Sequence, residues 1–177
     1  MTDVNVTRDP QASSTVHTED ANTRNADTAR IMELMELLFF AYRDFISDPD
    51  KQLTEYGFGR AHHRVLHFLS RNPGIRVADL LDILKITKQS LGRVLRQLIE
   101  EGFVYQVEGP TDRRQRLLHL TDTGRTLALA LSAPQVARLN AALAQAGDDA
   151  DQPFRQVLLN MIDETERKKV KRLVLKS

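Results

Sequence analysis

The residues most suited to chemistry cluster in two places. Lys88, Gln89, Ser90, Arg93 and Arg96 follow one another over a few turns of chain, and Arg113 and Arg114 close the segment EGPTDRR behind Asp112. Ammonium and guanidinium groups carry charge and several donors, so they suit phosphate oxygens and the acceptor atoms of guanine, while a glutamine amide matches adenine. None of this makes or breaks covalent bonds. The chain holds no glycine-rich phosphate loop, nucleophile motif or His-Glu metal motif, so catalytic residues and a cofactor are not expected. Asp79 and Asp82 read as solvent-side helix residues.

A second candidate set is His62, His63 and His67. His63 and His67 are four apart, a workable spacing for metal ligands on one helix face. The thiols and carboxylate-histidine companions of such a site are missing, because cysteine is absent and no acidic residue accompanies the three, so no metal is expected. His62 shares an apolar side with Val65, Leu66 and Leu69. It is either a satisfied core histidine or part of a ligand pocket.

These side chains need elements to hold them. Leu91, Val94, Leu95 and Leu98 recur at i, i+3, i+4 and i+7, which predicts a helix with Lys88, Gln89, Arg93, Arg96 and Gln97 on its other faces. Thr87 is placed to cap it, and Glu101-Gly102 to end it. A short helix from about Val77 to Leu84, with Ala78, Leu81 and Ile83/Leu84 toward the core, precedes it after only Lys85, Ile86 and Thr87. That is helix-turn-helix spacing. Phe103 to Val107 and QRLLHL alternate as strands around EGPTDRR, forming a hairpin whose tip is Asp112-Arg113-Arg114. Residues two apart in an extended chain face the same way, so Asp112 is expected to orient Arg114 through an ion pair. An arginine held on so narrow a tip suits the minor groove of a duplex.

Around this unit lie further helices. Ala29 to Ile46 carries Ile31, Leu34, Met35, Leu38, Tyr42 and Phe45 at helical spacing, with Leu37, Phe39 and Phe40 widening the stripe beyond one face. Asp48-Pro49-Asp50 ends it. Another helix runs from Phe58 to Ser70, with Val65, Leu66 and Leu69 inward. After the hairpin, Thr121 caps a long helix reaching Ala146, with Leu127, Leu131, Leu139 and Leu143 on its apolar side and Pro134 bending or breaking it. A last helix starts near Phe154, with Val157, Leu158, Met161 and Ile162 inward, and KKVKRLVLKS follows as a ragged basic tail.

The bulk properties agree. The formal charge is only +1, but residues 60–116 hold eleven Lys/Arg against six Asp/Glu, whereas residues 1–27 hold two Arg against five Asp/Glu. The latter segment is polar and nearly devoid of large apolar side chains, so it reads as a disordered arm. No apolar run nears the ~18 residues of a membrane span, the N-terminus has no signal-like core, and the lack of cysteine suits a cytoplasmic protein. Expected domains are the arm at 1–27, a helix and loop for dimerisation at 28–57, a winged helix-turn-helix at 58–121, and C-terminal dimerisation helices at 122–177. The fold class is mainly α with a small β-hairpin.

From about Phe58 to Gly124 the chain resembles the MarR family of bacterial transcriptional regulators. The wing pattern D-x-R-x5-L-T-x-x-G is filled by Asp112, Arg114, Leu120, Thr121 and Gly124, and ITKQSLGRVLRQLIEEGFV resembles the family's recognition helix and its entry to the wing. One departure is Gly92, where the family commonly has a hydroxyl residue. The resemblance implies a non-enzymatic homodimer, with its interface made by the first helix and the last two. It also implies sequence-specific binding of double-stranded DNA at a pseudo-palindromic operator, with repression as the expected mode. A small-molecule effector would release the DNA, an aromatic or phenolic acid by default, in a pocket for which His62, Leu66 and Tyr42 are the candidates. A non-specific architectural DNA-binding protein and a metal-responsive regulator are the alternatives, and a protein-interaction domain that keeps the fold is a third.

Overall fold

Why the recognition region folds as it does is visible in a computed structural model, which describes residues 11–175, with side chains from 25 onward. Helices are α1 (Gln11–Ser47), α2 (Asp50–Glu55), α3 (Arg60–Arg71), α4 (Val77–Leu84), α5 (Lys88–Glu100), α6 (Asp122–Ala146), α7 (Asp151–Met161) and α8 (Glu164–Leu175). Strands are β1 (Ile75–Arg76), β2 (Val104–Glu108) and β3 (Arg116–Leu120). The chain divides into two compact units, residues 1–45 and 46–177.

The first unit is α1. Its helix reaches back to Gln11, so the expected disordered arm is helical from that residue on, while its residues 1–10 lie outside those described. Extending a helix already nucleated by a good segment costs far less than starting one, which explains how a polar stretch joins it. From Ile31 to Tyr42 the large apolar side chains are exposed, Phe39 at 65%.

The second unit owns the core. α3 contributes Val65, Leu66 and Leu69, α5 contributes Leu91, Val94, Leu95 and Leu98, and α6 contributes Leu127, Ala128 and Leu131. Val104, Leu118 and Leu120 close it from the sheet. β2 and β3 pair antiparallel with Val104 opposite Leu120 and Glu108 opposite Arg116. Period-two alternation then puts Leu118 and Leu120 inward while Tyr105 and Val107 face out.

The hairpin gains a third strand, β1, giving the order β1-β3-β2, with Arg76 opposite Leu117. Two residues carry no periodicity, so β1 had no sequence signal. On α4 the buried positions are Leu80 and Leu84, and Ala78 is exposed. The segment after α1 is not a loop: α2 forms there, and Leu53 (1% exposed) joins the core of the second unit. A single leucine among polar neighbours gives no stripe to recognise. α6 runs through Pro134 as one helix, with Leu139 exposed rather than inward. α7 begins before Phe154, with Pro153 in its first turn, where backbone donors have no helical partner to lose. Val157, Leu158 and Met161 are exposed, not inward, and the basic tail is helical as far as Leu175, in α8.

Candidate nucleic-acid interface

The connection between α4 and α5 sets the aim of the basic helix. Lys85 ends α4 in the left-handed region (φ 51°), where a residue with a Cβ is disfavoured by roughly 1 kcal/mol. Its ammonium is held by Asp82 at 2.8 Å and Glu166 at 3.3 Å. Arg64 donates to the Leu84 carbonyl at 3.0 Å, satisfying an acceptor at the end of α4. Two residues later Thr87 caps α5: the Ser90 N–H donates to its Oγ1 at 3.1 Å, and its hydroxyl donates to Ser90 Oγ at 2.9 Å. The Ser90 hydroxyl oxygen is therefore engaged in the cap.

With Leu91, Val94, Leu95 and Leu98 buried, helical geometry leaves Lys88, Gln89, Gly92, Arg93 and Arg96 on the exposed side. Residues 88, 92 and 96 line up one turn apart, with 89 and 93 beside them. A Cβ at Gly92 would meet nothing within 4 Å. The middle of this basic face is thus bare of side chain for no internal reason.

The wing tip is built by backbone. Gly109 donates to the Gln115 carbonyl at 3.0 Å, and Gln115 donates to the Asp112 carbonyl at 3.0 Å. Gly109 is required by close approach, because a Cβ there would stand 2.8 Å from the Asp112 carbonyl oxygen. Asp112 accepts the Arg114 backbone N–H at 2.9 Å. It thus fixes the Arg114 backbone and makes no ion pair with the guanidinium, correcting the expected contact. Asp carboxylates often close such turns two residues on. Arg113 and Arg114 are left exposed at the tip.

Charge pairing takes several arginines elsewhere in the second unit out of play. Arg76 is paired with Asp79, Arg116 with Glu108, Arg125 with Asp122 and Arg138 with Asp48. Among the described residues, the side chains of Lys88, Arg93, Arg96, Arg113 and Arg114 make no ion pair. Unneutralised charge on one helix face and one loop tip is what a polyanion needs, and it remains available because no carboxylate competes for it.

The histidines resolve differently. His62 Nδ1 accepts the Gly59 N–H at 3.1 Å, so Nε2 carries the proton and donates to Gln97 Oε1 at 2.9 Å. Its ring stacks on Phe58 with centroids 4.7 Å apart. His62 is a strut between α3 and α5, and Gln97, which sequence reasoning left among the helix's polar faces, is its other end. Leu66 is fully buried and presents no surface to a ligand. Tyr42 is exposed on α1 in the first unit. Among the described residues no group of three or more His, Cys, Asp or Glu side chains is placed to hold a metal.

His63 is buried, at 9% exposed, and its Nε2 has no hydrogen-bond partner among the described residues. Burial first, then the neighbouring His67, pushes its pKa below the ordinary 6.5, against a weaker opposing pull from Asp50. The imidazole is therefore neutral in the fold. As pH falls below 6.5 the unfolded chain takes up a proton the folded chain refuses, so stability drops from there toward the folded-state pKa. Replacing His63 by leucine should raise stability by about 1 kcal/mol at neutral pH, since it removes an unsatisfied buried group. Urea unfolding on either side of that window should show the gap over wild type widening on the acid side. An unchanged gap would mean His63 does not titrate differently in the fold.

Comparison with known proteins meets this geometry at the same residues. Residues 56–115 match the MarR family profile. The HTH-type transcriptional regulator PetP of Rhodobacter capsulatus is 48% identical over 134 residues, covering 76% of this chain and 81% of that protein. Two solved structures share the fold. A MepR mutant from a multidrug-resistant S. aureus isolate has a TM-score of 0.63 at 18% identity, covering 72% of this chain and 94% of its own. NadR in complex with 4-hydroxyphenylacetate has a TM-score of 0.62 at 20% identity, covering 72% and 90%.

Proposed function

This chain belongs to the MarR family and is a non-enzymatic transcriptional regulator; on that premise we propose that it is a homodimeric repressor of a pseudo-palindromic operator, released by a small-molecule effector. The observation that carries this reading is the set of unpaired cations on α5 and the wing tip. In the proposed complex, α5 enters the major groove with Lys88, Gln89, Ser90 and Arg93 toward base edges, Arg96 meets phosphate, and Arg113 and Arg114 reach the adjacent minor groove.

Dimerisation accounts for the exposed apolar surface on two separate elements. α1 exposes Ile31, Leu34, Leu37, Phe39 and Phe40, and α7 exposes Phe154, Val157, Leu158 and Met161. Exposed apolar surface of that extent on each helix is normally covered by a partner, and a two-fold dimer is the commonest solution. Two recognition helices would then meet half-sites about 34–36 Å apart. The effector class we propose is an aromatic or phenolic acid, supported by the 4-hydroxyphenylacetate bound by the NadR neighbour.

The test is binding of the purified protein to the DNA upstream of its own gene, at fixed salt, against random duplex. Specific regulation requires a preference on the order of a thousandfold or more. Equal competition by random DNA would replace this reading with a non-specific architectural one. A second expectation concerns Gly92. Alanine there should stabilise the fold by about 1 kcal/mol, because its methyl meets nothing and glycine is a poor helix former. If the bare face is pressed against DNA, the same substitution should weaken operator binding while the melting temperature rises. Unchanged affinity in the stabilised variant would show that α5 does not approach DNA at that point.

A further inference from the structure

Gly92 is a residue that nothing inside the protein explains. A Cβ there would meet nothing within 4 Å, and glycine weakens a helix interior relative to alanine. The bare position opens onto a cleft of about 390 Å³ between α5, the start of α4 and β2. Arg96 and Gln106 line it as donors, Val77 and Ile99 give it apolar wall, and Glu100 adds one carboxylate.

Gln106 reaches the cleft by strand alternation. It shares a face of β2 with Val104, which is buried in the core, but lies two residues nearer the wing tip and is exposed. Arg96 stands one helical turn beyond Gly92 on the exposed side of α5. Among the described residues the side chains of Arg96, Glu100 and Gln106 have no ion-pair or hydrogen-bond partner. Two donors therefore face the same open space unengaged.

The topology of a duplex decides what must lie there. One sugar-phosphate strand separates a major groove from the neighbouring minor groove. A protein with α5 in the first and the wing tip in the second straddles that strand, which has to cross between α5 and β2. We propose that the cleft seats one nucleotide of this backbone, its phosphate held by Arg96 and the Gln106 amide and its deoxyribose lying against Val77 and Ile99 over the bare Gly92. A side chain at position 92 would fill the room the sugar needs. Gln106 is thereby a DNA-positioning residue, placed on the strand that leads to the wing tip. Glu100 opposes the phosphate and limits how tightly any duplex is held. Every sequence offers a phosphate, so the seat fixes depth and register without reading bases. It rests on the DNA-bound arrangement proposed above but needs no operator preference.

The test is fluorescence anisotropy of the full-length protein on the DNA upstream of its own gene and on a random duplex. Single methylphosphonate linkages, which neutralise one phosphate at a time, are placed along the first. Gln106→Ala should weaken both duplexes alike, by roughly fivefold, with the salt slope unchanged because the lost donor carries no charge. Arg96→Ala should weaken both and lower the slope by about 1. Gly92→Ala, which is expected to melt higher, should weaken both by one common factor. Glu100→Gln should tighten both by roughly threefold, a gain that damaged folding cannot produce. At one linkage in each half-site, neutralisation should weaken wild type yet take little further from Gln106→Ala. The seat is overturned if Gln106→Ala binds both duplexes as wild type does, if its loss is confined to the upstream DNA, or if that loss adds in full at every linkage. Operator preference, read from the same titrations, separates the two readings. Seat behaviour without preference keeps the cleft and removes the sequence-specific regulator, whereas preference with an indifferent Gln106 keeps the regulator and removes the seat. No binding to either duplex removes both.

Discussion

Alanine at Gly124 is expected to destabilise the second unit by about 3 kcal/mol or more, the upper end for overpacking a filled site. A Cβ there would stand 2.0 Å from the carbonyl oxygen of Phe103 and 2.9 Å from its carbonyl carbon. Both are backbone atoms, so no side chain can swing away to relieve the clash. The same joint is tied by three hydrogen bonds. The Thr121 N–H donates to the Phe103 carbonyl at 3.0 Å, the Thr121 hydroxyl donates to the Gly102 carbonyl at 2.7 Å, and the Gly124 N–H donates to Thr121 Oγ1 at 3.0 Å. Thr121 thus caps α6 and holds α6 to the point where α5 gives way to the sheet. Moving α6 away to admit a methyl group would stretch both bonds from Thr121, to the Gly102 and Phe103 carbonyls.

For a chain of this size that loss should lower the melting temperature by roughly 6–12 °C. Gly102 supplies the comparison. It sits at φ 77° after α5, but a Cβ there meets nothing within 4 Å, so alanine costs only conformational strain, about 1 kcal/mol. Thermal melts of Gly92→Ala, Gly102→Ala and Gly124→Ala should therefore rank as gain, modest loss and large loss. A Gly124→Ala protein that melts with wild type would refute the close approach of α6 to Phe103.

The threonine and glycine of the wing pattern were legible in sequence as residues, but their reason was not. Nothing in L-T-x-x-G says that the glycine exists for the carbonyl of a residue 21 positions earlier. That is a meeting of two elements, and a one-dimensional pattern carries no distance. Periodicity, by contrast, is a property of the chain itself, so the buried stripe Leu91, Val94, Leu95 and Leu98 and the Thr87 and Thr121 caps could be read directly. β1 and α2 escaped because one holds two residues and the other buries one leucine.

The basic side chains were equally legible, but their pairing was not. Arg76 and Arg116 look in sequence as available as Arg93 and Arg114, yet the structure neutralises the first two through Asp79 and Glu108. Asp112 shows the same limit from the other side. Its neighbourhood to Arg114 was visible, but only the folded turn shows that it binds the backbone N–H and leaves the guanidinium unclaimed. The histidines reverse the lesson. His62 could be read two ways until Gly59 and Gln97 were seen to occupy both of its nitrogens, and no spacing rule connects it to a residue 35 positions away.

The unclaimed cations lead to the other large expected effect, a split between two kinds of loss in DNA binding. Removing both wing arginines, Arg113→Ala with Arg114→Ala, should weaken operator and random duplex alike, by roughly tenfold or more near physiological salt. It should also reduce the slope of log affinity against log salt by about 1 for each phosphate that is no longer neutralised. Charge on a tip fixed by backbone, as this one is through Asp112 and Gly109, meets the phosphate-lined groove whatever the sequence. Lys88→Ala or Gln89→Ala should behave otherwise. Each removes a donor from the exposed face at the start of α5, and giving up one good hydrogen-bonded base costs about 1–3 kcal/mol on the operator. Random DNA, which never offered that base, should suffer much less. Fluorescence anisotropy on both duplexes across a salt series measures affinity and slope together. Equal weakening on both duplexes for all the variants would reduce α5 to a phosphate-binding helix, and no weakening for any would take the whole face out of DNA recognition. Only the split outcome is consistent with α5 as the reading element and the wing as its clamp.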